Sequence, residues 1–163
     1  MRLCLVRHGI AVPRSPEIDD GERPLAPEAM DRTRAALAGL ATLFRPEAIL
    51  TSPLLRARQT AAIAAELCGL PRSIDCAGLA TGDQAAVLGI LRDADASAAM
   101  LVGHEPWLSG LTSLLLTGTE GRPMVQIKKG GALLIEADSL ATPRSGVMVW
   151  LMQPGMLRRF AEH

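Results

Sequence analysis

Three short apolar runs in this chain end alike. Leu3–Val6 runs into Arg7-His8-Gly9, Ala48–Leu50 into Thr51-Ser52-Pro53, and Ala98–Val102 into Gly103-His104-Glu105. Each run is too short for a helix and is bounded by turn-forming or charged residues, as buried strands are. Segments of helical period lie between them. Strands that alternate with helices form a mainly parallel sheet with helices on both faces. Parallel strands point the same way, so the three polar endings gather at one end of the sheet, where open α/β sheets bind ligands.

The helical segments carry their own punctuation. Pro27 opens a helix that runs to about Phe44, with Met30, Thr33, Leu37, Leu40 and Phe44 on one face. Ser52 as cap and Pro53 as first residue predict a helix to Cys68, closed by Gly69. Ile74–Cys76 is expected to be a third strand, and Thr81-Gly82-Asp83 a turn that caps a helix over 84–94. Pro106 starts a helix to about Leu116, with Leu108, Leu111 and Leu115 on one face. After the turn over 118–123, three strand-like runs follow: Val125–Ile127, Ala132–Ala137 and Val147–Gln153. The expectation is a single three-layer α/β/α domain over residues 1–163, with a mostly parallel sheet and an antiparallel edge strand. Residues 155–163 are read as a loosely docked tail. The segment 9–26, rich in proline, glycine and charge, reads as a loop.

Composition removes several function classes. Seventeen basic and seventeen acidic residues leave no net charge, which argues against a strongly basic nucleic-acid binder. A hydrophobic content of 48% argues against disorder. No apolar stretch approaches the length of a membrane span, and the N-terminus enters a strand without a secretory signal, so the cytoplasm is the expected location. Cys4, Cys68 and Cys76 form no even framework and read as small buried hydrophobes. The three histidines, His8, His104 and His163, are not at metal-ligand spacing, so no metal is expected. Arginine outnumbers lysine fifteen to two. Most of that excess reads as codon usage, but an Arg at a strand end offers a planar fork of donors to phosphate or carboxylate.

Helix geometry separates two arginines. Arg56 falls in the first turn after Ser52-Pro53 and can reach back to the strand ends. Arg58, roughly 200° further round, points elsewhere. A positive side chain at a helix N-terminus opposes the macrodipole unless an anion lies between them. Two imidazoles, Arg7, Arg56 and a helix N-terminus therefore converge on one crevice. A neutral imidazole is a competent nucleophile, and guanidinium groups stabilise the charge of a phosphoryl group in flight.

The segments LVRHGIA (5–11), LTSPLLRARQTA (50–61) and MLVGHEPWLS (100–109) together resemble the histidine phosphatase superfamily, also called phosphoglycerate-mutase-like. The short length and ERPLAPEAMDR (22–32) are similar to its small SixA-type branch of phosphohistidine phosphatases. The resemblance implies a metal-independent phosphatase with no cofactor. It makes His8 the nucleophile that becomes phosphorylated, with Arg7, Arg56 and His104 around the phosphoryl group. It also implies a phosphorylated protein or a small phosphorylated molecule as partner, and points to a monomer.

The proton donor stays open. Asp83 occupies about the place of the family's acid, yet it also reads as a helix cap. Glu105 neighbours His104, yet an acidic residue there also suits a helix first turn. Asp19, Asp20 and Glu22 on the first loop are further candidates. An alkoxide leaving group, with a conjugate acid near 15.7, needs a proton, whereas imidazole, at about 6.5, leaves readily. A site with a weak acid therefore favours phosphohistidine. The alternatives are a phosphomonoesterase acting on a small metabolite and a non-catalytic phosphate-binding module. Trp107 is read as a core residue, with the crevice rim as the alternative. Lys128-Lys129 is read as a solvated turn.

Overall fold

The structure, a computed structural model, describes residues 1–94, 96–119, 124–139 and 144–162. Its sheet contains β1 (Arg2–Arg7), β2 (Ala48–Thr51), β3 (Ile74–Asp75), β4 (Ala98–Gly103), β5 (Ala132–Ala137) and β6 (Gly146–Met152). Their order across the sheet is β3-β2-β4-β1-β5-β6. β1 pairs in parallel with β4, β4 with β2 and β2 with β3. β5 runs against both β1 and β6, so the reversed strand sits one place in from the edge.

Alternation along β1 divides the core. Cys4 and Val6 face one side with α1 (Met30–Leu43), α2 (Leu55–Cys68) and α6 (Pro154–Phe160). Leu3 and Leu5 face the other side with α3 (Gly78–Thr81), α4 (Gln84–Asp93) and α5 (Trp107–Thr117). All four residues are fully buried, as expected of a central strand covered on both faces. The terminal segment, expected to dock loosely, packs closely through α6. Leu157 is fully buried, and a Cβ at Gly39 of α1 would lie 1.8 Å from the Leu157 carbonyl oxygen. Only glycine lets these two helices approach so far.

Three local expectations need correction. The helix after β2 begins at Leu55, two residues late, and its cap residue Leu54 has no capping side chain. Ser52 accepts from the Leu54 N–H at 3.3 Å, a local turn that delays the helix. The segment from Pro27 to Ala29 is a 3-10 turn before α1, and Met30 on the supposed inner face is exposed. Val125–Ile127 joins no strand, because the Ile127 N–H is claimed by the Glu105 carboxylate. Gly69 does close α2, in the left-handed region at φ 71°, where glycine carries no Cβ penalty. Among the described residues no helix is long and apolar enough to cross a membrane. His163 and the turn residues 120–123 lie outside the described residues.

Candidate active site

The carboxyl ends of β1, β2 and β4 are neighbours in the sheet, and residues at or just beyond them line one cavity of about 730 Å³. Arg7, His8, Arg56 and His104 all face it. His8 is 6% exposed and His104 7%, and their ring centroids are 4.8 Å apart with planes tilted by 54°.

His8 is held on both sides. Its backbone N–H donates to the Gly103 carbonyl at 3.1 Å, continuing the β1–β4 ladder. Its Nδ1 lies 2.6 Å from the Gly9 carbonyl oxygen. A carbonyl only accepts, so Nδ1 carries the proton and Nε2 keeps a free lone pair. The Gly9 N–H donates to Thr60 Oγ1, whose hydroxyl donates to the Arg56 carbonyl. A Cβ at Gly9 would meet buried Thr33 Oγ1 at 2.5 Å. The strand therefore ends in a turn that only glycine fits, and α2 braces it.

Burial pushes the His8 imidazole down to about 3, with His104, Arg56 and Arg7 adding to the shift and the Gly9 carbonyl opposing it. Burial likewise pushes His104 down to about 4, helped chiefly by Arg56, with Asp20 acting against it. Both rings are neutral at pH 7 in the open pocket. His104 Nε2 lies 2.7 Å from Ser52 Oγ, while its buried Nδ1 has no hydrogen-bond partner. Ser52 thus touches the second histidine instead of capping a helix, a role its place beside Pro53 concealed.

Arg7 donates from Nη1 to the Ile127 carbonyl at 2.9 Å. Arg56 is 5% exposed and donates from Nη1 to the Asp20 carbonyl at 2.6 Å and from Nη2 to Asp20 Oδ2 at 3.1 Å. The Nε atoms of both arginines are buried without a partner. Arg58 turns away, as its position on the helix predicts, and pairs with Asp75 on the exposed flank.

The acid candidates divide. Asp83 caps α4, accepting from the Ala86 N–H at 3.0 Å, and is not among the residues that line the cavity. Glu105 lines it, but both carboxylate oxygens are engaged. Oε1 accepts from the Ile127 N–H, and Oε2 from the N–H and the hydroxyl of Ser109. Asp20 reaches the cavity, while Asp19 caps the 3-10 turn that carries Asp20 and Glu22. Trp107 stands at the mouth, 39% exposed and packed over Gly82, instead of in the core. Lys129, in the turn between strands, also lines the cavity. Arg14 and Arg23 join from the first loop, where nothing in the sequence pattern set them apart from the chain's other arginines. Cys4 and Cys76 are buried and Cys68 half-buried.

The sequence profile of the histidine phosphatase superfamily (branch 1) matches residues 3–77. The chain is 40% identical over 140 residues to an uncharacterised protein of Picosynechococcus sp., covering 82% of this chain and 83% of that one. Among solved structures it resembles the protein histidine phosphatase SixA complexed with tungstate. The TM-score is 0.75 at 23% identity, covering 95% of this chain and 98% of that one. It also resembles the alpha-ribazole phosphatase of Shigella flexneri, with TM-score 0.69, 16% identity, and 94% and 97% coverage. A mycobacterial glucosyl-3-phosphoglycerate phosphatase in complex with inorganic phosphate gives TM-score 0.73, 18% identity, and 94% and 98% coverage.

Proposed function

The chain belongs to the histidine phosphatase superfamily, and on that premise we propose that it is a protein phosphohistidine phosphatase working through a phosphorylated His8. It is a hydrolase acting on phosphate bonds. The observation that carries the site assignment is a set of buried nitrogens without partners. Arg7 Nε, Arg56 Nε and His104 Nδ1 are all unsatisfied, on side chains that line the cavity around His8. Buried donors are nearly always paired, and a phosphoryl group that shifts these side chains on entering the cavity supplies the acceptor oxygens they lack.

His8 Nε2 attacks phosphorus in line, forming an N–P bond as the bond from phosphorus to the leaving group breaks and that group takes the electron pair. Nδ1–H, fixed on the Gly9 carbonyl, absorbs the positive charge that develops on the ring. Arg7 and Arg56 hold the equatorial oxygens. With the Ser52 hydroxyl donating to Nε2 of His104, the proton of that ring sits on Nδ1 and is free for a phosphoryl oxygen. The incoming dianion draws both depressed imidazole pKa values upward. Water then attacks the phosphorus of phospho-His8, the N–P bond breaks, and phosphate departs. No metal enters this scheme.

The substrate class follows from the leaving group. Glu105 is tied by three donors, Asp83 caps a helix, and Asp20 is surrounded by arginines. None is poised to protonate an alkoxide. A phosphohistidine ring that carries a proton on its other nitrogen leaves as neutral imidazole, whose conjugate acid is near 6.5, without a proton from the site. A cavity open at its mouth suits a side chain presented by a folded protein. The cytoplasm is the compartment we assign.

The test is a side-by-side turnover assay with chelator present, on a phosphohistidine-bearing protein, para-nitrophenyl phosphate and a panel of sugar phosphates. Preference for phosphohistidine is expected, with His8→Ala inactive yet folded. Preference for a sugar phosphate moves the function to small-molecule metabolism. Residual turnover above a few per cent in His8→Ala removes the nucleophile assignment.

A further inference from the structure

The phosphate pocket already holds an anion that belongs to the chain. Asp20 sits on the 3-10 turn of the first loop, and its carboxylate is bound by three guanidinium groups. Arg14 Nε and Arg23 Nε each donate to Oδ1 at 3.0 Å, and Arg56 Nη2 donates to Oδ2 at 3.1 Å. The Asp20 backbone carbonyl takes Arg56 Nη1 as well, at 2.6 Å. Both terminal nitrogens of the buried arginine are therefore engaged by one residue of a loop. Arg23, itself 13% exposed, fixes that loop by a second bond from Nη1 to the Val12 carbonyl.

We propose that Asp20 is a tethered occupant of the phosphate pocket, and that a substrate phosphoryl group binds by exchanging with its carboxylate at Arg56. This rests on the reading of Arg56 as a phosphate ligand. A carboxylate and a phosphate dianion on one guanidinium repel each other at short range, although the half-exposed Asp20 carboxylate is partly screened by solvent. The carboxylate has somewhere to go: Arg14 and Arg23 hold Oδ1 independently of Arg56, so releasing Oδ2 leaves it paired. In the unoccupied state it supplies the counter-charge that a buried guanidinium needs. The consequence is weaker affinity for free phosphate, and hence faster release of product.

The exchange makes a prediction opposite in sign to a supporting role. If Asp20 merely held Arg56 in position, removing it would weaken anion binding. Orthovanadate binding to the full chain, followed by titration calorimetry, separates the two. Asp20→Asn and Asp20→Ala are expected to bind vanadate about tenfold more tightly than the unaltered protein, and the inhibition constant for inorganic phosphate is expected to fall in parallel. Asp20→Glu keeps the charge and is expected to stay within threefold of the unaltered protein. Unchanged or weaker binding in both neutral variants, with their melting temperatures intact, overturns the exchange and leaves the phosphate-pocket reading standing. If one neutral variant is destabilised, the other decides, with Asp20→Ser as a third. Each is expected to bind vanadate more tightly than the unaltered protein, and an equal or weaker constant in a stable variant overturns the proposal. No vanadate binding by any form, the unaltered protein included, overturns the pocket reading and the exchange with it.

Discussion

His104 and Ser52 meet across two neighbouring strand ends, with Nε2 and Oγ 2.7 Å apart. That contact fixes one nitrogen of the ring and leaves the other buried and unpartnered, and the ring centroid lies 4.8 Å from that of His8. Two neutral imidazoles are thus stored close together behind a row of arginines, which makes the pocket sensitive to acid.

Stability should fall with acidification earlier than carboxylate titration explains. His8 sits near 3 and His104 near 4 when folded, against about 6.5 when unfolded. Between those values the unfolded chain binds more protons than the folded one, so stability rises with pH. The contribution is complete above about 6.5 and is lost as pH falls toward the folded values. Melting temperature is expected to drop from pH 7 to pH 5, where ordinary carboxylates remain ionised. The His8→Asn, His104→Asn double variant is expected to show a flatter slope, and an equal slope would refute the assignment.

Arg56 and Arg58 should separate cleanly. Arg56 lines the cavity, while Arg58 is half-exposed and paired with Asp75. Arg56→Ala removes charge-assisted bonds to the anion and is expected to weaken vanadate binding roughly 10- to 100-fold. Arg58→Ala is expected to change it less than twofold, since an exposed pair contributes little. Equal losses would show that the two side chains share a site.

Gly9→Ala should be destabilising through overpacking. The added methyl meets buried Thr33 Oγ1 at 2.5 Å and Leu25 Cδ2 at 3.1 Å. The expected loss is about 1–3 kcal/mol. Activity is expected to fall too, because the Gly9 carbonyl orients His8. Adding Thr33→Ala, which removes the clashing atoms, is expected to recover part of both. Denaturant unfolding of the two variants checks this, and an undisturbed Gly9→Ala protein would contradict the packing.

Asp83→Ala should act on stability alone. Its carboxylate accepts the Ala86 N–H at the start of α4 and takes no part in the cavity. Loss of such a cap costs about 1 kcal/mol. Turnover on every substrate is expected to match the unaltered protein, and a kcat reduced tenfold would restore Asp83 as a proton donor.

The parts of the site made by strand ends were legible in the sequence, because a strand's direction and its terminal residues are local properties. Arg7, His8 and His104 needed only the runs before them, and Arg56 needed only its angle on a helix. What stayed hidden depends on partners far along the chain. Ser52 beside Pro53 has the local form of a helix cap, and the neighbour that claims it, His104, is 52 residues away. Val125–Ile127 has strand-like composition, but the carboxylate of Glu105 takes a backbone donor that a strand would use. Asp20 was visible as one acid among several on a loop. Its importance comes from three arginines, the most distant of them 36 residues away.

The placement of β1 governs how this chain must be made. β1 precedes the other five strands in sequence yet lies between β4 and β5, and Arg7 is tied to Ile127 across 120 residues. Every element through β5 has to emerge before the strand that leads into His8 gains its second neighbour. Non-local pairing of this kind folds slowly, and until it is complete the apolar stretch Leu3–Val6 is an unpaired edge open to aggregation. A chain cut short before Ala132 would therefore carry Arg7, His8, Arg56 and His104 yet lack a finished sheet. Its characteristic fate would be insolubility, with no anion pocket formed.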